Sequence, residues 1–374
     1  MYAGAFLGPF GGGITAAMLP ELGATYGVTP ATAAASITSY LLPFAGLMLV
    51  SGTLGERWGR RRAVVIGYVV YAVAALAAVV APTFELFLAA RVVQGAANAF
   101  TTPLLLAAVG ATAAPGRLGR ALGWFGSLQS AGHTSAPLLG GLAAEVDWRW
   151  AFVGVAVSSA VLAVVGIPHT DPGPRTGLAA ALRSAVRPEV LRLGLVAAVG
   201  WGLVAGLAFL VALRLEDAFA VSAGTRGLVL TALGVVGLLS ARLVGGAVDR
   251  IGPRRTVLIG TALGAFVVAG AGLAPAVGLI AAIWALGGLA GQLLLVGVNS
   301  IVLAPGRENA GGAMSVVQAV RFSGMALAPA VITPIYRTDP LAAFLVPALL
   351  VAVVVPLALP RPNRPRVEDG AVAE

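Results

Sequence analysis

The sequence predicts an all-α membrane protein whose twelve transmembrane helices form two pseudo-symmetric six-helix bundles. Three observations carry that expectation. The 374 residues are 59% hydrophobic and only 10% charged, with a mean hydropathy of +0.94, where a soluble domain carries roughly 25% charged residues. The apolar residues are gathered into runs long enough to cross a bilayer, and the second half of the chain repeats landmarks of the first at an almost constant offset.

A span needs about 20 apolar residues, so twelve use roughly 240 and leave the rest for short loops and tails. The runs cover residues 2–25, 33–54, 63–82, 84–112, 118–144, 150–168, 190–213, 226–248, 256–274, 276–303, 311–335 and 341–359. Between them stand residues that end helices or resist the hydrocarbon: Gly27 to Pro30, Glu56 to Arg62, Pro115 to Arg117, Asp147 to Arg149, Glu216 with Asp217, Asp249 to Arg255, Pro305 to Asn309 and Arg337 to Pro340. The boundaries at Pro82 and Pro275 rest on little more than a proline.

The repeat divides the chain. Gly52-Thr-Leu-Gly-Glu-Arg-Trp-Gly59 returns 193 residues on as Gly245-Gly-Ala-Val-Asp-Arg-Ile-Gly252, Ala114-Pro-Gly-Arg117 returns after 190 as Ala304-Pro-Gly-Arg307, and Gly132-x-x-x-Ala136-Pro137 returns after 192 as Gly324-x-x-x-Ala328-Pro329. The expected organisation is a first bundle over 1–168, a cytoplasmic linker over 169–189, a second bundle over 190–360 and a cytoplasmic tail over 361–374. With both termini inside, 17 of the 24 arginines fall in inside loops and the tail, and the positive-inside rule fixes that orientation in the cell's inner membrane. Met1 lies at the edge of the first run with no basic n-region or cleavage site of a signal peptide.

Composition also excludes. Cysteine is absent and there are two histidines, so disulfides, Cys-based zinc sites and iron–sulfur clusters are ruled out and no metal or cofactor is expected. All 24 basic residues are arginine, so the Walker A lysine that reaches a nucleotide's phosphates cannot exist here. The net charge of +9 sits in loops facing a lipid surface and does not argue for nucleic acid. An enzyme in the membrane would need a nucleophile, base or metal cluster on facing helices; none is visible, and no carboxylate falls in the middle of a run.

Gly52-x-Leu54-x-Glu56-Arg57-x-Gly59-Arg60-Arg61 resembles the signature loop between helices 2 and 3 of the major facilitator superfamily, and Asp249, Arg250, Gly252 and Arg254 form its second copy. The resemblance implies a gating latch in which Glu56, one methylene longer than the usual Asp, docks at the start of helix 11; a carboxylate at a helix N-terminus contributes roughly 0.3–1 kcal/mol. Arg91-Val-Val-Gln94-Gly95 is similar to the family's helix 4 motif, whose arginine is associated with proton coupling. Gly123, Gly132, Pro137, Gly140 and Gly141 look like its antiporter motif, with Ala136 in place of one glycine, and Trp148-Arg-Trp-Ala-Phe152 also looks typical of the drug/proton antiporters. His133 lies inside that motif as the only histidine within a run and, with an ordinary pKa of about 6.5, is a candidate for coupling beside Glu21. Arg321, with Gln318 one turn earlier, stands where the repeat places Gln129 in the first half; that asymmetry makes Gln129, Gln318 and Arg321 the candidate substrate residues. The expectation is a monomeric secondary transporter in the lipid bilayer, moving a small molecule by alternating access: a proton-coupled exporter of drug-like amphipathic compounds or, alternatively, an uptake or facilitated-diffusion carrier for a small metabolite or anion.

Overall fold

The computed structural model describes residues 1–112, 118–167, 187–302 and 310–360, and the chain is helical through each of the twelve expected spans. Helix α1 is made of Tyr2–Gly13, a 3-10 turn Ile14–Ala17 and Leu19–Tyr26. It is followed by α2 (Pro30–Ala33 and Ala35–Trp58), α3 (Arg60–Val80), α4 (Phe84–Ala99 and Thr102–Thr112), α5 (Leu118–Ala144) and α6 (Arg149–Val165). The second half contains α7 (Pro188–Val196, a π-helical stretch Ala197–Trp201, Gly202–Gly206 and Ala208–Phe219), α8 (Ala223–Ile251), α9 (Pro253–Leu273), α10 (Val277–Val302), α11 (Ala310–Thr338) and α12 (Ala342–Ala358). Among the described residues, eight helices are long and apolar enough to cross a membrane by length and composition; α6 and α12, at 17 residues each, are shorter.

Several interruptions are narrower than the sequence suggests. The expected breaks at Glu56 to Arg62 and Asp249 to Arg255 shrink to one residue each, Gly59 (φ 89°) and Gly252 (φ 84°). A residue without Cβ takes that conformation at no steric cost, so α2 runs on to Trp58 and α8 to Ile251, and Glu56, Arg57, Asp249 and Arg250 stand on helices rather than in loops. Glu216 and Asp217 do not end α7 either. Glu216 is ion-paired with Arg226 and Asp217 accepts a hydrogen bond from the Tyr336 hydroxyl at 2.8 Å, so the helix carries both charges to Phe219 and turns at Ala220 (φ 49°). The expected boundaries at Pro82 and Pro275 stand where placed.

Packing repeats with the sequence. In the first half α1 packs on α5, α2 on α4, and α3 on both α4 and α6; in the second α7 packs on α11, α8 on α10, and α9 on both α10 and α12. The closest approaches obey the same offset. A Cβ on Gly95 would lie 1.9 Å from the Tyr40 carbonyl oxygen, and one on Gly288, 193 residues on, 2.0 Å from that of Leu233, itself 193 after Tyr40. Gly132 meets the Phe6 carbonyl as Gly324 meets that of Ala198. Small residues at these points let backbones touch, which is how helices gain contact where lipid removes the hydrophobic drive. The outer surface keeps Val73, Val80, Leu239, Leu243 and Leu357 exposed, a face suited to acyl chains.

Candidate substrate cavity

Between the halves lies a cavity of about 890 Å³, lined by α1, α2, α4 and α5 from one side and α7, α8, α10 and α11 from the other. Toward the arginine-rich end its lining continues through Met48, Leu106, Asn299 and Met314. The opposite end is sealed by contacts between the halves. α5 and α8 cross there with almost no space: Gly227 faces the Pro137 carbonyl, where a Cβ would sit at 2.4 Å, and Gly141 faces that of Ala223 at 2.3 Å. α2 and α11 meet through Thr38, whose hydroxyl donates to the Ala326 carbonyl at 2.6 Å, and through an edge-on Phe44–Phe322 pair at 5.1 Å.

Polar bonds complete the seal. Arg226, 1% exposed at the start of α8, donates to Glu21 of α1 and Glu216 of α7, to the Ala17 carbonyl at 3.1 Å and to the Val221 carbonyl at 2.8 Å. Glu145, at the end of α5, accepts from the Ser222 hydroxyl at 2.9 Å and from the Gly224 backbone N–H at 3.0 Å. It thus sets a carboxylate from one half on the helix N-terminus of the other, where the dipole favours negative charge. Arg337 donates to the hydroxyls of Thr29 and Thr32 at the start of α2. The sequence alone assigns no role to Glu145 or Arg226. Glu21 is a member of this seal and not of the cavity lining.

The cavity's polar groups include Tyr40 on α2, Asn98 and Thr102 on α4, Gln129, Ser130, His133 and Thr134 on α5, Gln292 and Asn299 on α10, and Ser315, Gln318 and Arg321 on α11; among the described residues no carboxylate lines it. Of the candidate substrate residues, Gln129, Gln318 and Arg321 all come together here. Arg321, 7% exposed, holds its guanidinium 4.4 Å from the Trp201 ring centre and 4.6 Å from that of Phe322, and its Nε has no hydrogen-bond partner. The Oε1 of Gln318 is equally unmet. An arginine at this depth costs about 2.5–3.5 kcal/mol, and desolvated cation–π contacts return about 2 kcal/mol. His133 opens onto the cavity and lies within electrostatic range of Arg321. Trp201 closes the π-helical stretch of α7, an extra-residue turn that often marks a functional position; nothing in its sequence neighbourhood announces it.

Arg91 is elsewhere. It is fully buried within the first half, donating to the Gly11 carbonyl at 3.1 Å, the Ser36 carbonyl at 3.4 Å and Gln94 Oε1 at 2.8 Å, with its guanidinium 4.4 Å from the Tyr40 ring centre. It ties α1, α2 and α4 together and does not line the cavity. The antiporter-motif glycines are contact points: Gly132 and Gly140 seat α5 on α1 against the carbonyls of Phe6 and Ile14, Gly141 seats it on α8, and Pro137 lies within the helix. Trp148 and Phe152 of the adjoining motif are buried edge-on against Phe87. Of the signature residues, Arg57, Asp249 and Arg250 are exposed, Arg60 is buried and Gly59 and Gly252 turn the chain. The surroundings of Gly52, Glu56 and Gly123 lie outside the described residues, as do 113–117, 303–309 just before the start of α11, most of the expected linker over 169–189 and the expected tail over 361–374.

Comparison with known proteins agrees with this architecture. Relatives include a multidrug resistance protein B homolog of Mycobacterium tuberculosis, 33% identical over 153 residues (40% of this chain and 28% of that protein), and the puromycin resistance protein pur8 of Streptomyces alboniger, 33% identical over 166 residues (44% and 33%). The chain thus matches about a third or less of the length of these curated relatives. Among solved structures, the human organic anion transporter MFSD10 superposes with a TM-score of 0.70 at 18% identity, covering 96% of this chain and 97% of that one. A bacterial homolog of the human lysosomal transporter Spinster, inward-facing and occupied, gives 0.71 at 16% identity over 95% and 93%. Residues 1–214 and 193–374 each match the Major Facilitator Superfamily, so both halves of this multi-pass membrane protein are accounted for and the chain belongs to that superfamily.

Proposed function

We propose that the chain is a secondary transporter that exports drug-like, amphipathic compounds across the plasma membrane by alternating access, drawn here facing the cytoplasm. The observation that carries this reading is one cavity between two pseudo-symmetric halves, sealed at one end by cross-half bonds and continuing toward the arginine-rich end, which the positive-inside rule assigns to the cytoplasm. Its size suits a drug-sized solute, and Tyr40, Phe44, Trp201 and Trp284 supply aromatic faces. The relatives named for drug resistance support the same class of cargo.

Coupling to protons is assigned to His133. A group that carries protons must meet water from each side in turn, and His133 opens onto the cavity, whereas Glu21 is tied to Arg226 in the seal and would exchange only with the far side. The test is dye efflux from proteoliposomes under an imposed pH gradient. Gradient-driven efflux by the wild type that becomes gradient-independent in His133→Ala supports both parts of the reading; full gradient dependence in His133→Ala removes the histidine from coupling, and no saturable flux of any amphipathic dye removes the transporter assignment.

A further inference from the structure

We infer that the cavity recognises an organic anion, with the carboxylate or sulfonate of an amphipathic solute seated on Arg321 and its ring system against Trp201. This rests on the cavity being the transport site and adds the charge class of the cargo. Arg321 is more than nine-tenths buried, lines the cavity, and among the described residues finds no carboxylate there: its guanidinium lies against the rings of Trp201 and Phe322, and its Nε is without a partner. The other buried arginines whose bonds are described donate to protein oxygens: Arg91 to two carbonyls and Gln94, with one terminal nitrogen left over, and Arg226 to two carboxylates and two carbonyls. Arg321 lines the cavity and has no described bond to a protein oxygen, and a guanidinium so placed can take a planar anion in two parallel hydrogen bonds.

The rest of the lining agrees in sign. Besides Arg321, the one imidazole among the described lining residues is His133, which can only add positive charge; Gln129, Gln292 and Asn299 offer amide donors, and Tyr40 is a phenol. Among the described lining residues a cationic solute would meet one fixed positive charge and no negative one. The membrane potential, negative inside, also favours the outward passage of an anion bound to a cavity whose own charge returns with it.

The experiment compares three probes on one scaffold, 1-naphthaleneacetate, its primary amide and 1-naphthylethylamine, by binding to purified wild-type protein in nanodiscs. The expected order is carboxylate over amide over amine, with at least a tenfold gap between carboxylate and amine. Arg321→Gln should erase the carboxylate's advantage while leaving amide affinity within about twofold, and Arg321→Lys should keep part of it. Equal binding of the three probes, or a carboxylate preference unchanged in Arg321→Gln, would overturn the anion assignment and leave the cavity reading intact. Binding by none of them to protein with a normal melting transition would count against both. An Arg321→Gln protein that fails to fold is replaced by Trp201→Leu, which should weaken all three probes; undiminished binding there overturns the proposed seat.

Discussion

Arg91 and Arg321 are both arginines buried at membrane depth, yet their surroundings give them opposite work. Arg91 bonds to the carbonyls of Gly11 and Ser36 and to Gln94, so it holds three helices of one half together. Leaving buried acceptors unmet costs about 1–3 kcal/mol each, and the Arg91→Leu variant is expected to lower the melting temperature by several degrees while changing probe affinity in the cavity by less than about twofold. Thermal unfolding in detergent beside a binding titration checks both halves of that statement. Gly95→Ala carries the same expectation more severely, since its Cβ would fall on the Tyr40 backbone, which has no rotamer to yield. In the sequence Arg91 stands in a motif and Arg321 at a gap in the repeat; what decides their work is whether carbonyls or the cavity face the guanidinium.

At the scale of the element, α8 is the piece that closes the cavity. Its first turn carries Arg226 into a pair of carboxylates and takes Glu145 from the other half on its N-terminus, and its next turns press Gly227 and Gly234 against α5. These contacts cross between halves, so weakening them should shift the equilibrium between conformations without unfolding either bundle. Glu145→Gln removes a carboxylate from a helix N-terminus, a contribution of about 0.3–1 kcal/mol, and is expected to raise the outward-open population about two- to fivefold. Arg226→Gln leaves Glu21 and Glu216, 27% and 35% exposed, without their shared cation, and should raise the outward-open population more than Glu145→Gln does. Gly227→Ala should do the same by steric contact with the Pro137 carbonyl. Because the chain has no cysteine, a single Ala205→Cys on the cavity wall reports each shift by its labelling with an impermeant maleimide added from outside. Unchanged labelling in all three variants would remove α8 from gating.

For the molecule as a whole, the assignment of sides is the statement on which the transport direction depends. Reporter fusions after Arg183 and Arg366 are expected to read cytoplasm and one after Glu216 the exterior; the reverse pattern would turn the open cavity outward and the exporter reading with it. The structure adds an internal check, because Arg149, Arg214, Arg226 and Arg337, the four arginines expected outside, all gather at the sealed end. There Arg149 donates to the Val79 carbonyl at the end of α3 and Arg214 to the Ala274 carbonyl at the end of α9. Those carbonyls lie past the last intrahelical partner, so Arg149 and Arg214 cap the ends of α3 and α9.

The sequence by itself determined the number of spans and the two-fold repeat, because each is written along the chain: how many apolar residues cross a bilayer, and which landmarks return at a fixed offset. It also brought Gln129, Gln318 and Arg321 forward, since a repeat that fails at one position is visible in the letters alone. Tertiary structure decided the rest. Glu21, Glu145 and Arg226 are distant in the chain and unremarkable at their own positions, and they become a seal only when the two halves lean together at one end. Trp201 reaches Arg321 only because α7 takes a π turn and α11 passes beside it. Which end is shut, and which charges are left without partners, are properties of contacts between helices far apart in the chain, and no periodicity along one helix encodes them.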